Sequence, residues 1–162
     1  MSSLSAAASL YFCLMNASQV NGIDPNLLIS VMSVEGGRRG TESLNTNGSK
    51  DLGIMQINTY AWLPLVSRVF FNGDSEKAYK TLRDDGCFNI AVGAWILNSA
   101  IKKEGGRIWD GVGRYHSNTP KYKYRYIERV KKKYLSIDKV SVSRNYIKSN
   151  RTTYINRDYS TK

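Results

Sequence analysis

Two carboxylates in contrasting surroundings are the candidates for chemistry in this chain of 162 residues. Glu35 ends an apolar segment, and Asp51 follows in a run of polar residues. A carboxyl group at the wet edge of an apolar stripe is disfavoured as an anion, so its pKa should rise, as a general acid near neutral pH requires. A carboxylate in a solvated loop stays ionised instead. Two carboxyl groups that differ in this way are typical of acid–base catalysis on a glycosidic bond.

A helix with a defined start and end is predicted to carry Glu35. Asp24 can cap free backbone N–H groups, and Pro25 suits the first helical position. Leu28 and Glu35 lie two turns apart, so Glu35 falls on the buried stripe of its own helix. The glycine pair that starts at Gly36 ends the helix. From these residues alone, the alternative is a helix that ends in an ordinary surface glutamate.

Asp51 is predicted to lie in a polar loop. Residues 45–51 (NTNGSKD) are mainly turn formers, and an apolar stretch leads from them to the polar Gln56 and Asn58. Further along, the sequence predicts a short helix capped by Ser75 or Asp74, and the periodicity of apolar residues predicts a central helix over residues 87–104. The chain as a whole is therefore predicted to be mainly helical.

Four motifs in this order resemble those of the lysozyme-like lytic transglycosylases, the SLT domain family, and in particular the small specialised enzymes of conjugation, secretion and pilus systems. The motifs are Glu35-Gly36, Gly53-Ile54-Met55-Gln56, Asn89-Ile90 with Gly93, and Tyr115-His116. The resemblance spans roughly residues 13–134. It implies a mainly α, lysozyme-like helical globule of the goose or SLT type, with a very small β-hairpin at the active-site loop.

The resemblance implies that Glu35 protonates the glycosidic oxygen between N-acetylmuramic acid and N-acetylglucosamine in peptidoglycan. The N-acetyl group of the substrate stabilises the developing positive charge. Glu35 then takes the proton from the muramic 6-hydroxyl, which closes a 1,6-anhydro ring. One carboxyl group suffices and no cofactor is needed. A single histidine and the lack of clustered thiols argue against a metal site.

Asp51 and Gly36 depart from the family pattern. Many members carry a small residue where Asp51 stands, whereas animal lysozymes have an aspartate there that acts as nucleophile or charge stabiliser. Asp51 is therefore predicted to be an auxiliary catalytic residue. Gly36 replaces the usual serine, which implies either a lower activity or another hydrogen-bond partner for Glu35, with Ser33 and Gln56 as the candidates.

The same motifs imply a substrate-binding set and a structural set. Substrate binding is predicted for Met55, Gln56, Asn58, Tyr115 and His116. Asn89 is predicted to support the catalytic loop from behind, and its alternative is an ordinary helix-surface asparagine. Gly93, in the middle of a helix, is expected to allow a close approach of another element.

Cys13 and Cys87 lie where the family carries a disulfide, so the resemblance implies that they are bonded and that the protein is periplasmic. In a reducing compartment the same residues would be buried thiols. Residues 4–15 have the apolar character of a signal-peptide core, but no basic residue precedes them, and the resemblance favours a first helix. We hypothesise that an export signal has been removed.

Charge divides the chain into two parts. Residues 121–162 hold 13 Lys and Arg against 3 acidic residues, whereas residues 1–120 hold 11 against 10. We predict a transglycosylase domain over residues 1–136 and a flexible basic extension over residues 137–162 that contacts secretion, conjugation or pilus components. Nucleic-acid binding is less favoured, because no nucleic-acid fold motif accompanies the charge. No apolar stretch is long enough for a membrane span.

The sequence thus predicts a lytic transglycosylase that opens the cell wall locally for such a machine. Two alternatives stay open. One is a lysozyme-type muramidase that hydrolyses the same bond with Glu35 and Asp51, and the other is a non-catalytic scaffold that binds the wall. The joint presence of Glu35, Gln56 and Tyr115 argues against the scaffold.

Overall fold

A computed structural model describes residues 3–137, and most of these residues are helical. The helices are α1 (Ser3–Asn21), α2 (Pro25–Glu35), α3 (Thr59–Phe70), α4 (Ser75–Asp84), α5 (Gly86–Lys103), α6 (Ile108–His116) and α7 (Pro120–Ile137). The strands are β1 (Glu42–Leu44), β2 (Lys50–Leu52) and β3 (Ile57–Asn58). The predicted mainly α fold with a very small sheet is confirmed.

The three strands form one antiparallel sheet in the order β1-β2-β3. Ser43 pairs with Asp51, and Asp51 pairs with Asn58, so these residues form a row across the sheet. Successive side chains of a strand point to opposite faces, so Lys50 and Leu52 lie on the face opposite this row. One face of the sheet is therefore polar and bears Asp51, and the other joins the core at the fully buried Leu52.

The described residues fall into two units. The first comprises residues 3–17 and 35–93, and the second comprises residues 18–34 and 94–137. The first unit contains the sheet, α3 and α4. Its large, fully buried side chains are those of Leu52, Met55, Ile57, Val66, Leu82 and Ile90.

Two contacts fix the start of α5 within the first unit. Cys13 and Cys87 form the predicted disulfide, with their Cα atoms 5.2 Å apart. A Cβ at Gly93 would lie 2.7 Å from Cγ of Met55, so only a glycine permits this approach. The expected close contact at Gly93 is present, and its partner, Met55, lies in the turn after β2.

In the second unit, α7 contacts α2 at both ends. The hydroxyl of Tyr134 donates to Oδ2 of Asp24 at 2.5 Å, while Oδ1 of Asp24 accepts from the backbone N–H of Asn26 at 2.8 Å. Near the other end, Nη2 of Arg129 donates to the carbonyl oxygen of Val34 at 3.1 Å. The predicted Asp24 cap is confirmed, and the basic helix α7 holds α2 at its first and last turns.

A cluster of charges surrounds Glu104, which follows α5 in the second unit. Oε1 of Glu104 accepts from Nη1 of Arg114 at 3.0 Å, and Nζ of Lys123 lies 3.7 Å from Oε2. These cations, and Arg114 most strongly, lower the pKa of Glu104.

α6 and α7 approach closely at Gly113, where a Cβ would lie 2.5 Å from Cγ of Lys123.

Two predictions concern the ends of the chain. The predicted first helix is present as α1. The extension predicted over residues 137–162 lies, apart from Ile137 at the end of α7, outside the described residues. None of the helices in the described part of the chain is long and apolar enough to cross a membrane.

Candidate active site

Glu35 is the last residue of α2 and is partly exposed. The chain then turns at Gly36, whose φ of 69° lies in the left-handed region that glycine adopts without strain. Gly37 runs directly against a second turn. A Cβ on Gly37 would collide with the carbonyl oxygen of Gly53 and would lie 2.8 Å from Nε2 of Gln56. The predicted helix end is confirmed, and the segment after Glu35 meets the loop that carries the other candidates.

Asp51 lies on the polar face of the sheet between two fixed side chains. On one flank, Nδ2 of Asn58 donates to Oδ1 of Asp51 at 2.8 Å. On the other flank, the hydroxyl of Ser43 donates to Oε1 of Gln56 at 2.7 Å, and Nε2 of Gln56 donates to the carbonyl oxygen of Gly53 at 2.8 Å. The first unit thus brings Asp51, Asn58 and Gln56 together around the sheet.

Ser49 is the centre of the hydrogen bonds in the polar loop and is only 1 % exposed. Its hydroxyl donates to Oδ1 of Asn47 at 2.7 Å. It accepts from Nδ2 of Asn58 at 2.9 Å and from Nδ2 of Asn45 at 3.1 Å. Sequence reasoning missed Ser49 and Ser43 as site residues. The density of Asn and Ser, whose side chains bond locally, was the available signal for Ser49.

Asn58 connects the sheet to α3. Its Oδ1 caps α3 by accepting from the backbone N–H groups of Tyr60 at 3.0 Å and Ala61 at 3.2 Å. Its Nδ2 donates to Ser49 and Asp51. A side-chain amide has two donors and two acceptor lone pairs, and here all four are in use. Asn58 therefore holds the Asp51 carboxylate in place through this bond, and its predicted substrate contact stays a prediction.

Met55 is 0 % exposed and packs against Gly93, so it fills the core beneath the loop. Its substrate-binding role stays a prediction. Gln56 is partly exposed and has an unusual positive φ of 47°, which its bonds to Ser43 and Gly53 help to hold. The substrate-binding role of Gln56 stays a prediction.

Asn89 on α5 is 0 % exposed, which rules out the helix-surface alternative. Its Oδ1 accepts from the backbone N–H of Met55 at 2.7 Å. Its Nδ2 donates to the carbonyl oxygens of Leu52 at 2.9 Å and Leu82 at 2.8 Å. A Cβ at Gly53 would lie 2.5 Å from this Nδ2, so the turn after β2 needs glycine in order to pack on Asn89. The amide thereby ties the turn after β2 to α4 and α5.

Tyr115 and His116 belong to the second unit, at the end of α6. The ring of His116 stacks on the buried ring of Tyr126, with centroids 4.4 Å apart and planes within 4°. Tyr115 is partly exposed. Substrate binding by these two residues stays a prediction. Within residues 3–137, no group of three His, Cys, Asp or Glu residues is arranged to hold a metal ion.

The other face of the sheet carries charges that hold the hairpin together. Lys50 on β2 forms an ion pair with Glu42 on β1, and Arg83 on α4 lies 3.7 Å from Glu42. The hydrogen bond from Lys50 is the main cause that lowers the pKa of Glu42. These residues lie on the face opposite Asp51. The ion pair therefore stabilises the hairpin from the side away from the row formed by Ser43, Asp51 and Asn58.

The fold and the motifs define a protein of the SLT class. The chain belongs to the transglycosylase SLT domain family, whose model matches residues 12–133. It is 32% identical over 134 residues to the invasion protein IagB of Salmonella typhi. The aligned residues cover 80% of this chain and 79% of that protein. It is 33% identical over 130 residues to the protein IpgF of Shigella flexneri, covering 77% and 80%. The family implies peptidoglycan as the substrate.

Proposed function

We propose that this protein is a peptidoglycan lytic transglycosylase that cleaves the β-1,4 bond between N-acetylmuramic acid and N-acetylglucosamine. The observation that carries the proposal is the placement of Glu35 at the end of α2, with Gly37 directly against the turn at Gly53. This contact brings a carboxyl group on a rigid helix next to a hydrogen-bonded polar loop, as acid–base chemistry on a bound glycan requires.

Glu35 acts first as an acid and then as a base. Its protonated carboxyl group donates to the glycosidic oxygen, and the bond from that oxygen to C1 of the muramic residue breaks. The N-acetyl oxygen of the same sugar stabilises the positive charge at C1. The Glu35 carboxylate then removes the proton from the 6-hydroxyl, whose oxygen bonds to C1. The proton returns to Glu35, a 1,6-anhydro product forms, and no water is consumed.

Asp51 assists this reaction through its negative charge. Its bond from Asn58 keeps the carboxylate on the polar face of the sheet, where it favours a developing cation. The same arrangement supports a second candidate function, hydrolysis by a lysozyme-type muramidase in which Asp51 is the nucleophile. Retaining hydrolysis needs the two carboxyl groups about 5–5.5 Å apart when substrate is bound.

The disulfide supports action in an oxidising compartment, and we assign the protein to the periplasm. There it would open the wall locally for a secretion, conjugation or pilus machine. This role is proposed from the resemblance to the small specialised members of the family, and one relative is named an invasion protein. We further propose that the basic residues after α7 contact components of that machine, because residues 138–162 hold six Lys and Arg against two acidic residues.

Mass spectrometry of the fragments released from purified peptidoglycan tests the reaction. Products that end in 1,6-anhydro-muramic acid are expected, each lighter by one water than a hydrolytic product. Reducing-end muramic acid would overturn the transglycosylase in favour of the muramidase. Asp51→Asn separates the two readings as well, since it should lower release in a transglycosylase and abolish it in a muramidase.

Glu35→Gln is the control for the catalytic acid. The exchange is nearly isosteric, so the variant should unfold at the same denaturant concentration as the parent protein and release no fragments. Full activity of this variant would contradict the role of Glu35. A further outcome is that the parent protein binds the wall and releases no fragment. That result would indicate the non-catalytic scaffold that binds the wall.

A further inference from the structure

A groove of about 730 Å³ lies in the first unit. It is lined by Lys50 and not by Asp51. The tip of the β1–β2 hairpin, α3 and the start of α4 form its walls. The residues that determine its character are Lys50, Tyr60, Leu63, Pro64, Arg68 and Tyr79. Its volume falls within the range of small-ligand pockets. Because Lys50 and Asp51 are neighbours on β2, they point to opposite faces, and the groove is separate from the polar row.

The charge of the groove is positive. Its lining contains Lys50 and Arg68 and no acidic residue. Lys50 is paired with Glu42 on β1, which lies outside the lining. Arg68 is exposed in the last turn of α3, and no carboxylate within residues 3–137 forms an ion pair with it. A ligand with carboxylates therefore gains an uncompensated cation at Arg68 and a second cation at Lys50.

Apolar and aromatic side chains also line the groove. Leu63 and Pro64 contribute to the lining from α3. Tyr60 is 65% exposed, and its hydroxyl lies close to the hairpin tip, where a Cβ on Gly48 would be 3.2 Å from it. Tyr79 on α4 also lines the groove, with Nζ of Lys50 5.7 Å from its ring centre. Such a surface suits small apolar side chains between charged groups.

Two hydroxyl groups of the groove are occupied within the protein. Thr59 Oγ1 accepts from the backbone N–H of Lys50 at 2.9 Å, and the buried Ser67 hydroxyl donates to the carbonyl oxygen of Pro64 at 3.1 Å. A glycan of N-acetylglucosamine is uncharged, so the positive lining favours an acidic peptide over such a glycan.

We propose that this groove binds the peptide stems of peptidoglycan, which alternate alanine with residues that carry free carboxylates. This inference rests on the proposed function for the identity of the ligand. The stem would seat its carboxylates at Arg68 and Lys50 and its alanine methyl groups on Leu63 and Pro64. The site would hold the enzyme on the wall while the polar face of the sheet acts on a glycan strand.

The test uses the whole protein and a synthetic stem tetrapeptide without sugar, with binding followed by NMR and calorimetry. The amide signals of Tyr60, Leu63 and Arg68 should shift. Arg68→Glu should weaken binding about fivefold, because it removes one exposed charge pair and adds a repulsion. Lys132→Glu, the same charge change on the exposed surface of α7, should leave the affinity unchanged. Amidation of the peptide carboxylates should weaken binding to the parent protein, which tests the proposal without any variant.

Three results would overturn the inference. These are no shift of the groove signals at millimolar peptide, equal affinity of an unrelated glutamate-rich peptide, and shifts caused by a peptide-free N-acetylglucosamine oligomer instead. The peptide contains no glycosidic bond, so its binding does not depend on cleavage. If fragments are released from peptidoglycan but the peptide does not bind, the inference alone fails. If the peptide binds and no fragments are released, the proposed reaction fails.

Discussion

Arg129 donates to the carbonyl oxygen of Val34 at 3.1 Å, although the two residues are 95 positions apart in the chain. Val34 directly precedes Glu35, so a side chain of the basic helix α7 satisfies an unpaired carbonyl in the last turn of the helix that carries the candidate acid. A cation at this end of a helix is also favoured by the helix dipole. Among the many Lys and Arg residues of α7, Arg129 thus has a structural role at the end of α2.

Arg129→Met should lower the free energy of unfolding by about 0.5–1 kcal/mol, because the carbonyl loses its donor and the helix end loses its cation. Fragment release from peptidoglycan should fall as well, and Arg129→Lys should restore part of both. Arg125→Met, on the same helix and without such a bond, is the matched control. Equal effects of the two methionine variants would refute a specific role for Arg129.

Asn89→Asp should destabilise the protein by about 2–4 kcal/mol, measured by urea denaturation. The exchange replaces the donor to Leu52 and Leu82 by an acceptor, so two carbonyl oxygens lose their partner in a fully buried place. Asn98→Asp, at a partly exposed position of the same helix, should cost less than a quarter of this. Similar losses for both variants would show that the buried amide does not support the loop.

Asn58→Asp and Asn58→Ala separate the two roles of this side chain. Aspartate keeps an oxygen to cap α3 but sets a carboxylate against Asp51, whereas alanine removes both the cap and the donor. We expect alanine to cost about 2 kcal/mol of stability and aspartate about half of that. Both should reduce fragment release if Asp51 needs its donor. Full release by Asn58→Asp would contradict that need.

Gly37→Ala should cost about 1–3 kcal/mol, because its Cβ would strike the carbonyl oxygen of Gly53. Gly36→Ala is the matched control. It meets no atom within 4 Å and bears only the strain of its positive φ, on the order of 1 kcal/mol. Fragment release should suffer more in Gly37→Ala, since the displaced segment directly follows Glu35. The reverse order in both stability and release would disprove the close contact.

Glu104→Gln should lower the free energy of unfolding by an amount that depends on pH. Arg114, and then Lys123, hold the pKa of Glu104 below its ordinary value of 4.5. A carboxyl group with a lowered folded-state pKa stabilises the fold fully above its unfolded value and loses this effect as pH falls through the folded value. Parent and variant should therefore differ by at most about 1 kcal/mol at neutral pH and converge in acid.

Urea titrations at neutral pH and in acid measure this convergence. Glu128→Gln is the control, since the Glu128 side chain is 77% exposed and its one ion pair within residues 3–137 spans 3.9 Å to Lys131. It should have no measurable effect at either pH. A difference between parent and Glu104→Gln that persists unchanged in acid would refute the ion-pair origin.

The sequence by itself determined the local features around Glu35. Asp24, Pro25 and Gly36 define the start and end of α2, because caps and turns depend on atoms only a few residues apart. The turn formers before Asp51 likewise predict the polar loop. The family motifs added the disulfide and the lysozyme-like class, since they carry information that no local rule contains.

Tertiary structure alone decided the use of the remaining side chains. Nothing local to Met55 shows that it is buried against Gly93, and nothing local to Asn58 shows that its amide serves Ser49 and Asp51 as well as α3. Hydrogen bonds such as that from Met55 to Asn89 join residues 34 positions apart, so they exist only after distant elements have packed. A short polar motif predicts which groups are available for bonding, but packing selects their partners.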